Sequence, residues 1–176
     1  HAMSLCREIV RSQLKVSFFG SNINPIHLDS GLPEEMVRAG FRSVTCTAES
    51  ASDRVLKGMR KGFKRQQAVQ VAKQFQHVGL RVFWMFLMGG PGENQDTVEE
   101  TLEFIHRETG PRDVALIIYG IRVYPNTGME TVALEEGLIQ QREELLWPVF
   151  YMSPGLEHGW LKKRINRAIR EDPRIF

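Results

Sequence analysis

Apolar and polar positions along the chain alternate between two rhythms. Leu5, Ile9 and Val10 recur at helical spacing, and Leu14 to Phe19 then reads as a strand. Gly20-Ser21-Asn22 and Gly31 are loop signals. Pro33 suits a helix start, Glu34 and Glu35 favour its positive end, and Gly40 closes it. Ser43 to Ala48 is the next predicted strand. Ser50 and Ser52 can cap a short helix through Leu56, which Gly58 and Gly62 interrupt. A better defined helix runs from about Arg65 to Val78 on a stripe of Ala68, Val69, Ala72, Phe75 and Val78, and Gly79 ends it.

Val82 to Met88 is a continuous apolar run, the pattern of a parallel strand covered on both faces and the expected centre of the core. Gly89-Gly90-Pro91-Gly92 turns the chain into a helix from about Gln95 to Arg107, with Val98, Leu102 and Ile105 inward. A strand over Val114 to Val123 and a helix over Gly128 to Glu136, stopped by Gly137, follow. The tail carries an amphipathic helix with Leu156, Trp160, Leu161, Ile165 and Ile169. Strands alternating with crossover helices imply parallel pairing, so the expected class is α/β with an open or curved sheet.

Composition narrows this picture. A chain of 176 residues with 42% hydrophobic content has enough apolar material for one core. The net charge of +2 comes from basic and acidic residues spread along the chain, so no charged tail argues for nucleic acid or a membrane surface. The run Val82 to Met88 is too short to span a bilayer. Cys6 and Cys46 lack the spacing of a metal site or a disulfide framework, which points to a reducing, cytoplasmic setting. His1-Ala2-Met3 reads as a vector remnant outside the fold.

Ligands of parallel α/β sheets sit at the carboxyl ends of strands, so the residues just after each strand carry the candidate chemistry. Glu49 follows one strand and could hold a hydroxyl pair or an ammonium group, or simply cap a helix or pair with a nearby Lys or Arg. Gly89 to Glu93 lets backbone approach a flat ligand, or is a plain structural turn. It is a poor phosphate loop, because no Gly-Lys-Ser/Thr ending follows and Glu93 and Asp96 would repel a phosphate. The basic stretch Arg54, Lys57, Arg60, Lys61, Lys64 and Arg65 has one aromatic, Phe63, and reads as a solvated face rather than a nucleic-acid surface. His27, His77, His106 and His158 share no metal-ligand spacing, and Ser17 and Ser43 have no evident base.

Several of these stretches, in this order, resemble one family. Ala39 to Ser50 followed by Ser52 to Gly62 resembles the fourth strand and next helix of radical S-adenosylmethionine (radical SAM) enzymes. Val78 to Glu93, with Thr97 to Thr101 behind it, resembles their fifth strand and its turn, and Ile121 to Thr127 resembles the sixth. Glu136 to Ile139 and Phe150 to Pro154 are similar to the tail of the cobalamin-binding subgroup.

The resemblance implies a partial (β/α) barrel of about four parallel strands, corresponding to strands 3 to 6 of the family. Residues 4–127 would form it and residues 128–176 a helical extension of the same domain. It implies that Glu49 and Ser50 meet the ribose or amino group of S-adenosylmethionine and that Lys61 reaches its carboxylate. Gly89, Gly90, Pro91, Gly92 and Glu93, with Tyr124 and Pro125, would line the adenine.

It further implies a 4Fe–4S cluster, reductive cleavage of S-adenosylmethionine and, through the subgroup, an upstream cobalamin domain with methyl transfer. The family's CxxxCxxC motif is absent from this sequence, as is the strand that binds the methionine amino group. Thr45-Cys46-Thr47-Ala48 replaces a glycine-containing segment, and Asn126 stands where glycine is common. The chain therefore reads as an inactive part of a larger enzyme whose partners are the cofactor and the rest of the parent chain. An exposed edge near Leu14 to Phe19 would then favour self-association. The rival readings are a binding module with a barrel-like sheet and a barrel enzyme of phosphorylated metabolites.

Overall fold

The computed structural model describes residues 1–140 and 145–176. Four strands form one parallel sheet in the order β1-β2-β3-β4: β1 (Phe18–Ile23), β2 (Phe41–Glu49), β3 (Arg81–Met88) and β4 (Val114–Tyr119). The helices between them are α2 (Leu32–Arg38), α3 (Asp53–Gly58), α4 (Arg65–His77) and α5 (Gln95–Glu108), and α1 (Ala2–Arg11) precedes β1. After β4 come β5 (Ile121–Val123), α6 (Gly128–Glu135), β6 (Val149–Tyr151) and α7 (His158–Glu171). This is the α/β, partial-barrel arrangement expected from the sequence.

The helices α1, α2, α4, α5 and α7 share one core with a single face of the sheet. Val44, Cys46, Ala48, Val82, Trp84, Phe86, Met88, Ala115 and Ile117 point into it, against Phe75, Val98, Phe104, Leu161 and Ile165 among others. The opposite face carries Phe19, Thr45, Thr47, Phe83, Met85, Leu87, Leu116 and Ile118, which are only half-buried or exposed. This corrects the expectation that β3 is covered on both faces. Its residues alternate between buried and half-buried because every packed helix lies on the same side.

Three boundaries also move. The first strand begins at Phe18 and runs through Gly20 to Ile23, whereas Leu14 and Val16 are exposed. Gly20 belongs to the strand because a Cβ there would come within 2.9 Å of Val44 Cγ1, so the backbone approaches more closely than another residue allows. The expected strand Val114 to Val123 divides at Gly120, whose φ of +84° redirects the chain, and β5 pairs antiparallel with β6 instead. Helix α1 takes in Ala2 and Met3, and Met3 packs against the core rather than lying outside it.

The amino end of the sheet is tied by Asp113. Its carboxylate accepts from the Val82 and Gly110 N–H groups at 2.9 and 2.8 Å and from Trp84 Nε1 at 3.0 Å. The far edge of β4 is covered by the C-terminal residues: Ile117 N–H donates to Phe176 O, and Phe176 N–H to Ala115 O, both at 2.9 Å.

Candidate functional site

The carboxyl ends of β2 and β3 lead into two neighbouring turns that lie against α3 and α5. At the first, Ser50 N–H donates to Ala48 O at 2.7 Å, closing a three-residue turn around Glu49. Glu49 consequently has a φ of +61°, a left-handed conformation that costs a residue with a Cβ. The surrounding polar groups hold it. Ser50 is buried, its Oγ accepts from Ser52 N–H at 3.1 Å, and it lies 3.3 Å from Thr101 Oγ1. Thr101, on α5, accepts from Ala51 N–H at 3.1 Å and donates to Thr97 O at 3.2 Å. Glu49 itself stays on the less covered face of the sheet, and its Oε2 pairs with Lys61 Nζ.

The second turn, Gly89 to Glu93, is held from inside. Glu93 Oε2 accepts from the N–H groups of Gly89 and Gly90, the latter at 2.9 Å. The residue is 1% exposed, and burial pushes its carboxyl up to about 7 despite the two backbone donors that favour the charged form. The glycines here clear protein atoms. A Cβ on Gly89 would lie 2.5 Å from Met152 Sδ, and one on Gly90 would lie 3.1 Å from both Met59 Sδ and Val55 Cγ1. Gly58 at the end of α3 is needed for the same contact, since its Cβ would meet Pro91 O at 2.4 Å.

The tail clasps this turn from the other side. Ser153 N–H donates to Gly89 O and Ser153 Oγ to Glu93 O, both at 2.8 Å. Tyr151 anchors that segment through Oη to Glu136 Oε2 at 2.8 Å, and burial with this acceptor pushes its phenol up.

The sequence-derived site residues thus fall into three groups. Glu49 and Lys61 form a partly exposed ion pair with side chains 16% and 28% accessible. Ser50, Gly89, Gly90, Pro91 and Glu93 are buried, and Gly92 is half-buried. Tyr124 and Pro125 lie on an exposed link between β5 and α6, where the Tyr124 ring takes the Arg122 guanidinium at 4.8 Å. That link is fixed by a carboxylate as well, because Asn126 N–H donates to Glu130 Oε2 at 2.9 Å. Thr101, Met152 and Ser153 lie in stretches that carry the family resemblance but were given no site role, and Glu130 was not singled out.

A 4Fe–4S cluster does not fit the residues present. Cys6 lies on α1, and Cys46 points into the helix-covered core, where burial, with a smaller contribution from Asp113, pushes its thiol up and disfavours a thiolate. Among the described residues no group of His, Cys, Asp and Glu is placed to hold a metal ion, and no helix is long and apolar enough to cross a membrane.

Comparison with known proteins places this geometry. Residues 3–105, more than half of the chain, match the radical SAM superfamily. The chain is 26% identical over 140 residues to an uncharacterized methyltransferase of Pyrococcus horikoshii, covering 78% of this chain and 29% of that protein. It superposes on the radical SAM methyltransferase TsrM of Kitasatospora setae, solved with cobalamin and a 4Fe–4S cluster bound. The TM-score is 0.81 at 18% identity, over 100% of this chain and 42% of TsrM. Coproporphyrinogen III oxidase of Escherichia coli, a radical SAM enzyme, aligns with a TM-score of 0.63 at 11% identity, over 98% of this chain and 37% of that one. The chain therefore spans less than half the length of these relatives, and it belongs to the radical SAM superfamily.

Proposed function

We propose that this chain supplies the later strands of a radical SAM barrel within a longer protein and holds S-adenosylmethionine at the carboxyl edge of β2 and β3. The observation that carries this reading is the Glu49–Lys61 pair. It sets a carboxylate and an ammonium side by side on the less covered sheet face, on a backbone turn that the surrounding hydroxyls keep strained.

S-adenosylmethionine offers an ammonium, a carboxylate and a ribose diol. Lys61 takes its carboxylate and Glu49 accepts from its ammonium or ribose, so the internal ion pair exchanges for two pairs with the ligand. Ser50 and Glu93 act one step behind, as positioning residues for the two turns, while the half-buried backbone at Gly92 and the exposed backbone at Tyr124-Pro125 are available to the adenine. Residues 4–127 form the barrel part and residues 128–176 an extension whose Ser153 secures the second turn.

The parent reaction is reductive cleavage of S-adenosylmethionine, with a cluster held outside this chain supplying the electron chemistry. The similarity to TsrM and to the Pyrococcus horikoshii methyltransferase favours cobalamin-dependent methyl transfer as the outcome. The two free cysteines fit a reducing, cytoplasmic compartment. Reconstitution of the full-length protein with iron and sulfide tests the proposal. Turnover of S-adenosylmethionine to 5′-deoxyadenosine or S-adenosylhomocysteine is the expected result, and cluster assembly without any such turnover would contradict it.

A further inference from the structure

Beyond the carboxyl edge, α3 and the segment joining it to α4 wall a cavity of about 840 Å³. Arg54, Lys57, Arg60, Lys61 and Lys64 line it, and Asp53 is its one acidic lining residue among those described. Asp53 is already engaged, since its Oδ1 accepts Arg65 N–H at 2.7 Å. Leu56 and Phe63 lie beneath it and are almost wholly buried, so the accessible lining is formed mainly by the exposed Arg54, Lys57, Arg60 and Lys64.

Packing does not call for this concentration of charge, because like charges gathered on one wall repel. Several arginines elsewhere are paired: Arg164 with Glu99, Arg107 with Glu103, Arg174 with Asp172 and Arg38 with Glu35. In the cavity only Lys61 is paired, with Glu49. Arg54, Lys57, Arg60 and Lys64 have no ion-pair partner among the described residues. Arg60 is also held at a φ of +54°, a left-handed conformation for a residue with a Cβ.

We propose that this cavity binds a small molecule carrying two or more phosphate-type anions, at a site that adjoins the one proposed for S-adenosylmethionine and shares Lys61 with it. Unpaired cations on the wall supply charge-assisted hydrogen bonds to phosphate oxygens. S-adenosylmethionine is the wrong ligand for it. That molecule has one carboxylate against a sulfonium and an ammonium, and four unpaired cations would repel the latter two. Lys61 lines the cavity and pairs with Glu49, so an anion bound here competes with Glu49 for the ammonium group.

Calorimetric titration of the protein with inorganic pyrophosphate tests the assignment. Saturable binding at one site per chain is expected, and replacing both Lys57→Glu and Lys64→Glu should weaken it by at least about tenfold. Lys57→Gln with Lys64→Gln should weaken it in the same direction, with thermal melts confirming that each variant is folded. A control pair on the exposed face of α7, Lys162→Glu with Lys163→Glu, should leave binding unchanged.

Non-saturating uptake, or an equal loss in the α7 control, would reduce the effect to general charge attraction and overturn the proposal. Wild-type pyrophosphate affinity in the Lys57 and Lys64 double variants would equally overturn it. A single-stranded oligonucleotide that binds where pyrophosphate does not would overturn the small-molecule assignment. None of these outcomes depends on turnover of S-adenosylmethionine, so failure here and failure of the proposed function are separable.

Discussion

Glu49 and Glu93 each follow the carboxyl end of a parallel strand, yet their surroundings give them opposite work. Glu49 stays on the less covered face of the sheet and pairs with a lysine that water and ligands can reach. Glu93 turns inward and spends its carboxylate on two backbone N–H groups of its own turn. Position after a strand therefore marks a region and not a role. Partners and burial decide which carboxylate stays accessible and which holds its own turn.

Removing the side chains should separate the two most sharply. Glu93→Ala strands two buried donors and opens a void, for a loss of about 3 kcal/mol in urea denaturation. Glu49→Ala breaks a partly exposed pair and should cost less than about 1 kcal/mol. Equal losses would end the distinction.

Proton linkage gives the next contrast. The Glu93 carboxyl is raised from 4.5 to about 7 in the folded state, so between those values the folded protein binds more protons than the unfolded one. Stability from this group therefore falls as pH rises from about 4.5 to 7 and is level above that, a change on the order of 3 kcal/mol. Glu93→Gln keeps an acceptor for the two N–H groups and should remove this slope, measured as the difference between wild-type and variant melts across pH. An unchanged slope would place the titration elsewhere.

A smaller effect lies within the second turn. Gly89→Ala meets Met152 and a φ of +99°, whereas Gly92→Ala meets only the flexible Arg54 side chain at a φ of +81°. The first should cost roughly 1 kcal/mol more than the second. The smallest expected effect concerns the open edge of β1, which among the described residues pairs only with β2. It should give weak, concentration-dependent association in sedimentation, and Phe19→Lys, at a position 55% exposed, should suppress it.

Much of this fold was legible because its signals are local. The stripe on α4, the glycine-rich turn and the Val98, Leu102 and Ile105 spacing of α5 and the apolar run of β3 each declare an element within a few residues. The errors came where distant packing overrode local preference. Gly20 reads as a turn until Val44 presses against it, and β3 reads as covered on both sides until all packed helices are found on one. β6 has three residues, and its pairing with β5 follows from the turn at Gly120, which no apolar period records.

At the candidate site, Glu49 and the glycine-rich turn were marked by their place after strands and Lys61 by the family resemblance alone, and the structure brings Glu49 and Lys61 into one ion pair. The inward direction of Glu93 was not legible in the sequence. It depends on Met152 and Ser153 returning about sixty residues later to close the far side of the loop, a separation of 60 residues for the bond from Ser153 to Glu93.

The most direct test of the account is the affinity of the full-length protein for S-adenosylmethionine, measured by equilibrium dialysis for wild type, Glu49→Gln and Lys61→Met. Each variant should fold as wild type does and bind at least about tenfold more weakly, consistent with losing one charged contact to the ligand. Wild-type affinity in both variants would contradict the assignment of the Glu49–Lys61 pair as the cofactor's anchor.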